Sequence, residues 1–360
     1  MRKRLKLIFL FTIFVIGLLE NVITRLYDVA CRPESVHATD TRGVDQPCKD
    51  GRYGKVTVLV AFDAAAYHNR YLTARQSLKC YVNRTGYELR LVDVNNDPVV
   101  KSTCRHKMLF FLRHCAAALY LARTDWLMFL DADTVVANPN RCIEEYIDPK
   151  FDLIFYERFV NWEIASGHYI ARNSQFARKF LMDWADYEFV TPQPRGYDNG
   201  ALQLHLLGTI LPEARHERQT CRQIWQNATD YGGYFAYLHC VRATKGARME
   251  WDRIKIYRRG LAFVLDYQVT DGRVCEKMFM FHGVKSNQWD DFFTHNPNGS
   301  DCYADAPWPY AKNRHVSSPC DQLRRMVAGY EELYAATYQN QTNHAIPYIQ
   351  SRVGDCWPDC

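Results

Sequence analysis

Apolar residues in this chain fall into short dense runs that alternate with stretches of helical period. Val56 to Phe62 is apolar except at Thr57, as expected of a strand buried on both faces. Asn69 to Tyr81 can form a helix, and Tyr87 to Val94 alternates as a second strand. The pattern then predicts one long helix over Ser102 to Ala122, with Met108, Leu109, Leu112, Cys115, Leu119 and Tyr120 on one face. Leu127 to Leu130 is a third strand, and it ends in Asp131-Ala132-Asp133. This βαβαβ order implies a mostly parallel sheet covered by helices on both faces, an α/β fold.

Further strands are expected at Phe151–Tyr156, Ser166–Arg172, Phe263–Leu265 and Met278–Phe281, with an amphipathic helix from Ser174 to Tyr187. A turn at Gly196 leads into Tyr197–Leu204, whose second half is helical in pattern. After Ser300 the chain turns loop-like and Cys-rich, with one short helix near Gln322 to Tyr338. At the other end, Arg2, Lys3, Arg4 and Lys6 precede the apolar run Leu7 to Leu19. A basic cluster before an apolar run is a secretory targeting pattern with the N-terminus in the cytosol. The run is short for a span, yet no small-x-small site follows it, so a signal anchor is preferred to a cleaved leader. The expected organisation is a cytoplasmic tail (1–6), an anchor (7–24), a lumenal stem (25–53), a catalytic domain (54–300) and a Cys-rich extension (301–360).

Thirteen cysteines without a Cys-x-x-Cys pair argue for disulfides in an oxidising lumen and against structural zinc. Their odd number leaves one unpaired or bridging two chains, and Cys31 is the candidate for a disulfide-linked dimer. Sequons at Asn83, Asn227, Asn298 and Asn340 fit the same compartment, the Golgi or ER membrane, or the exterior if the leader is cleaved. The net charge of +5 is mild and no basic block lies beyond the leader, which excludes nucleic acid as an expected partner.

Two carboxylates one residue apart at the carboxyl end of a buried strand lie where α/β sheets bind ligands. They can cap backbone amides, or they can hold a divalent cation that prefers oxygen. His282, at the end of another apolar strand, is placed to be a third ligand, which would favour Mn²⁺ over Mg²⁺. Gly283 would let backbone approach a phosphate, and Lys285 would supply it a positive charge. Lys107, at the start of the long helix, is either a further phosphate ligand or a solvated surface residue. Asp198 and Asn199 either cap a helix or hold the reacting sugar or its acceptor.

Asp131-x-Asp133, Asp198-Asn199 and His282-Gly283-x-Lys285, in that order, resemble GT-A fold nucleotide-sugar-dependent glycosyltransferases. The order is most similar to the retaining glycogenin-like and galactosyl/xylosyl (galactomannan-type) families, over roughly Lys55 to Asp290. The chain as a whole resembles a nematode group of lumenal proteins. The resemblance implies that Asp131, Asp133 and His282 bind Mn²⁺, which holds the diphosphate of a nucleotide-diphospho-sugar donor. It puts Ala61 and Phe62 near the base, and Lys107, Gly283 and Lys285 near the phosphates. Gly167 and His168 fall on the acceptor side, and Asp198 and Asn199 at the reacting sugar. The implied reaction is transfer to a glycan or glycoprotein with retention. The family usually has Asp-Gln where this chain has Asp198-Asn199, so the side chain beneath the anomeric carbon is one methylene shorter here.

Two other readings stand beside this one. Phe129 to Val135 also fits the Asp-x-Asp-x-Thr strand end of haloacid-dehalogenase-like phosphatases, with Asp131 as nucleophile, although that motif normally opens its domain and here two βα units precede it. The third reading is a non-catalytic lumenal carbohydrate-binding protein on the same fold.

Overall fold

The computed structural model describes residues 48, 51–64, 70–159, 161–190, 195–285, 319–342 and 357–358, with side chains as far as 333 in the last long segment. All of these lie in one compact unit, Gly43–Pro358. The leader, Cys31 and most of the proposed stem, Cys302, Cys356 and Cys360 lie outside the described residues. Among the described residues no helix is long and apolar enough to cross a membrane.

Strands β1 (Val56–Phe62), β2 (Glu88–Asp93) and β3 (Trp126–Leu130) are parallel neighbours, as the βαβαβ pattern requires. With β5 (Leu153–Tyr156), β6 (His168–Arg172) and β7 (Ile254–Tyr257) they form a sheet of order β2-β1-β3-β6-β5-β7. Only β6 runs against its neighbours in this sheet. A second small sheet pairs β4 (Val135–Val136) with β9 (Met280–His282) and β9 with β8 (Val264–Asp266). It brings the end of the Asp131 strand beside His282.

Alternate residues of β1 and β3 enter two different cores. Leu59, Ala61, Leu127 and Phe129 pack with Phe111, Leu112 and Ala116, while Val58, Val60, Met128 and Leu130 pack with Leu78, Tyr81, Phe279 and Met280. Burial on both faces is why these strands read as continuous apolar runs. Helices α1 (Leu72–Thr85), α2 (Pro98–Thr103), α3 (Leu109–Leu121), α4 (Gln175–Ala185), α5 (Tyr187–Val190), α6 (Tyr197–Ile210), α7 (Arg215–Gln226), α8 (Tyr231–Lys245) and α9 (Cys320–Thr342), with 3₁₀ turns at Ile143–Tyr146 and Tyr267–Val269, complete the described elements. The hydrophobic pattern does not place β4, β7, α5, α7 or α8.

The single helix expected over 102–122 is two. The Asp97 side chain accepts from the amides of Val99 and Val100 with Pro98 at the first turn, which starts α2 early. The backbone then turns extended at Cys104 and again at Met108, where α3 begins. A Cys104–Cys115 disulfide ties the break to α3, and the intervening residues are held from outside. His106 Nε2 lies 3.1 Å from Asp186, and the Lys107 amide donates to Glu188 at 3.0 Å. Disulfides Cys48–Cys142, Cys221–Cys240 and Cys275–Cys320 are also formed.

Candidate metal centre and its cleft

A cleft of about 330 Å³ opens at the carboxyl ends of β1 and β3. Asp131 and Asp133 enter it from the loop after β3, and His282 enters from the end of β9. The His282 Nε2 atom lies 3.4 Å from Asp133 Oδ1 and 3.6 Å from Asp131 Oδ2. Two backbone features hold these strand ends together: Val135 pairs with Phe281, and the Val284 amide donates to the Asp133 carbonyl at 2.9 Å.

His282 Nδ1 lies 2.8 Å from Asp266 Oδ1. A neutral imidazole that donates Nδ1–H there would turn its Nε2 lone pair toward the two acids. Arg158 fixes Asp266 in turn, through Nη2 at 3.0 Å and Nε at 3.4 Å. Burial pushes the His282 pKa down, but Asp133 and Asp266 outweigh it and the net shift is upward. Burial raises the Asp133 pKa, and the charge on Asp131 adds to that against the opposing pull of His282. For Asp131 burial works in the same direction, but Arg113, His168 and His282 overcome it and hold its pKa below the usual carboxylate range.

These residues fit a divalent cation. One oxygen of each carboxylate lies within 3.6 Å of the same imidazole nitrogen, although the donor atoms mutually within 4.8 Å are those of Asp131, His168 and His282 and leave out Asp133. Carboxylates with an imidazole are a donor set suited to Mn²⁺. The space for the Asp131 carboxylate exists only because residue 167 is glycine: a Cβ there would lie 1.9 Å from Asp131 Oδ2. His168 sits close by, its donor atom within 4.8 Å of those of Asp131 and His282. Its ring nitrogens are already engaged, by Thr134 Oγ1 at 2.8 Å and Tyr156 Oη at 3.0 Å. His168 therefore forms a buried part of the cleft wall beside the acids. The other His/Cys clusters, around Cys104–Cys115 and Cys275–Cys320, are built on disulfide sulfurs, which are poor metal ligands.

Ala61, Phe62, Gly167, Asn199 and Lys285, all singled out in the sequence, line this cleft. Three other residues are placed differently. Lys107 is exposed in the break before α3 and does not line the cleft, because the expected helix start is displaced to Leu109. Gly283 adopts φ +93° and packs toward Tyr267, so it serves the turn after β9 without facing the cleft. Asp198 points inward: its Oδ2 accepts from Arg113 Nε at 2.9 Å and lies 2.9 Å from His114 Nε2. It is 1% exposed and anchors the start of α6, while Asn199 takes the cleft position and its Oδ1 accepts from the Ser166 amide at 3.0 Å.

Arg113 is the largest omission of the sequence reading. One Nη bonds Asp131, the other lies 3.1 Å from Ser166 Oγ, and Nε reaches Asp198, so a single guanidinium joins β3, the start of β6 and α6. Burial opposes its charge, yet Asp131 and Asp198 hold its pKa above the ordinary value. Asp266, Arg158, Tyr71 and Phe110 were also missed. Asp266 did carry a signal, since it ends the apolar run Phe263–Leu265 as Asp131 ends Leu127–Leu130.

Fold and site thus define an α/β protein with a carboxylate–imidazole centre at the carboxyl edge of its main sheet. The chain belongs to the family described as "Protein of unknown function, DUF273", which matches residues 78–297 and so takes in both acids, Asn199 and His282. Among solved structures it is similar to a glycosyltransferase involved in the glycosylation of the major capsid of PBCV-1, at 15% identity and a TM-score of 0.38 over 63% of this chain and 93% of that one. It is also similar to A197 from STIV, at 14% identity and a TM-score of 0.23 over 35% of this chain and 66% of that one. No curated protein matches the chain.

Proposed function

We propose that this chain is a Mn²⁺-dependent glycosyltransferase that moves a sugar from a nucleotide-diphospho-sugar to a glycan or glycoprotein hydroxyl. The observation that carries the reading is the approach of Asp131 and Asp133 to His282 Nε2 on the rim of a cleft that Lys285 also lines. A cation held there supplies Lewis-acid stabilisation for a departing diphosphate. The chain's own residues do the rest. Asp266 and Arg158 keep the imidazole in the ligating tautomer, and Lys285 offsets phosphate charge. With its Oδ1 held by the Ser166 amide, Asn199 has its NH₂ group left to donate to a sugar hydroxyl. Arg113 fixes Asp131 against the helices, so the site is positioned before substrate arrives.

The same proposal places the domain in the secretory lumen, behind an anchor formed by residues 7–24, with a disulfide through Cys31 able to link two chains. Four disulfides among the described residues support an oxidising compartment. Retention of anomeric configuration is part of the proposal and is read by proton NMR of the product. Release of nucleoside diphosphate from a panel of common nucleotide sugars, with and without Mn²⁺, tests the reaction. Mn²⁺-dependent release supports it. Release only of inorganic phosphate from phosphomonoesters would make Asp131 a phosphatase nucleophile, and binding without turnover would make the protein a lumenal carbohydrate binder.

A further inference from the structure

We propose that the stacked aromatic pair Phe110–Tyr197 at the mouth of the cleft is the subsite that seats a pyranose ring of the acceptor; this rests on the glycosyltransferase reading of the same cleft. The two rings lie 4.9 Å apart at 25° to each other, and both are large apolar side chains left in solvent, 41% exposed for Phe110 and 46% for Tyr197. Phe110 also lines the cleft beside Leu109 and Arg113. The pair is therefore continuous with the cavity that holds the acids, unlike the exposed Tyr231 on α8.

The backbone beneath Tyr197 is a second, independent observation. Gly196 and Tyr197 take consecutive left-handed conformations, φ +76° and +44°. A bulky residue rarely adopts this conformation, which persists only where the surroundings impose it. The residues on either side are fixed: a Cβ on residue 196 would lie 2.4 Å from Tyr234, so only glycine fits there, and Asp198 is locked to Arg113 and His114. The start of α6 thus sends three consecutive side chains to three places. Asp198 goes into the core, Asn199 into the cleft and Tyr197 to the surface, where it stacks on Phe110.

A pyranose presents an apolar face of C–H bonds and a rim of hydroxyls. An aromatic platform takes the face, and the polar wall beside it, Asn199 and Arg113, takes the rim. Sheet order separates Asn199, two residues beyond Tyr197, from the other end of the cleft. Phe62, Asp63 and Tyr71 lie on the β1 side of Asp131, whereas Asn199 stands behind β6, on the opposite side of β3. The outer, solvent-open position is where a polymeric acceptor can enter.

Saturation-transfer NMR on the full-length protein tests the proposal, with methyl glycosides of mannose, galactose, glucose and xylose as probes and uridine as the competing aromatic-stacking ligand. We expect the ring C–H protons of at least one glycoside to saturate. The effect should fall roughly three- to ten-fold in Tyr197→Ala and stay within about two-fold in Tyr197→Phe. It should be unchanged in Tyr231→Ala. The subsite is overturned if no glycoside saturates, if Tyr197→Ala behaves as wild type, if Tyr231→Ala loses the signal equally, or if uridine base protons are what Tyr197→Ala abolishes. Mn²⁺-dependent binding of a nucleoside diphosphate to the wild-type protein is measured separately. Its absence beside Tyr197-dependent glycoside binding sinks the transferase reading and leaves a sugar site; its presence without glycoside binding sinks only the platform.

Discussion

Gly167→Ala tests the metal centre without removing a ligand. An added Cβ would lie 1.9 Å from Asp131 Oδ2 and 2.4 Å from its Cγ. Ordinary contact begins at 3.4 Å, so one partner must move by about 1.5 Å, against a tolerance of about 0.2 Å in metal–ligand distances. The backbone of residue 167 has little freedom to yield, because His168, Tyr169 and Ile170 are buried immediately after it. Asp131 must then rotate away from His282 or break its bond to Arg113. The expected result is a fall in Mn²⁺ affinity of at least about 100-fold, with a loss of stability of about 1–3 kcal/mol from overpacking. Calorimetric Mn²⁺ titration reads the first, and urea unfolding reads the second. Gly329→Ala is the control, since a Cβ there meets nothing within 4 Å. A folded Gly167→Ala protein that binds Mn²⁺ as wild type does would refute the assignment of Asp131.

The other predictions address the residues around that carboxylate. Asp133→Ala or His282→Ala should abolish Mn²⁺-dependent donor binding while circular dichroism stays native; calorimetric donor binding retained in either would refute its role as ligand. Asp266→Asn should lower Mn²⁺ affinity by about 10–100-fold although it touches no metal, and an unchanged titration would show that His282 needs no orienting partner. Arg113→Met leaves buried Asp198 with only the His114 imidazole and the Asn199 amide as partners, so a loss of about 3–5 kcal/mol is expected in urea; a loss under 1 kcal/mol would mean that Asp198 does not depend on the Arg113 guanidinium. His114 is buried and its pKa falls from 6.5 to about 4, chiefly through desolvation and against the pull of Asp198. The unfolded chain therefore binds this proton first: stability is full above about pH 6.5 and declines by up to about 3 kcal/mol toward pH 4. His114→Gln should flatten that decline, and an identical pH profile would refute the assignment.

What the sequence made legible and what it hid divide along a physical line. β1 and β3 were readable because burial on both faces leaves an unbroken apolar run, and the acids were readable because that run stops at them. The break before α3 was half-readable: Asp97-Pro98 is a helix start, but the Cys104–Cys115 disulfide and the Asp186 and Glu188 contacts that hold the break are tertiary. Arg113 was hidden for the same reason. It sits among apolar neighbours on a helix, and its meaning comes from Asp198, 85 residues away. Arg158 and Asp266, 108 residues apart, form the orienting pair for His282 in the same manner. Single positions at strand ends announce ligands because local periodicity marks where a buried strand meets solvent. The residues that aim those ligands are buried polar groups satisfied only by distant partners, and no local pattern records such a partner. Asp198 shows the difference within one dipeptide: the sequence placed it and Asn199 together at the site, whereas the helix start turns one into the core and the other into the cleft. A helix start separates adjacent side chains by about 100°, so a motif of two neighbouring polar residues there supplies one residue to the cleft and one to the scaffold.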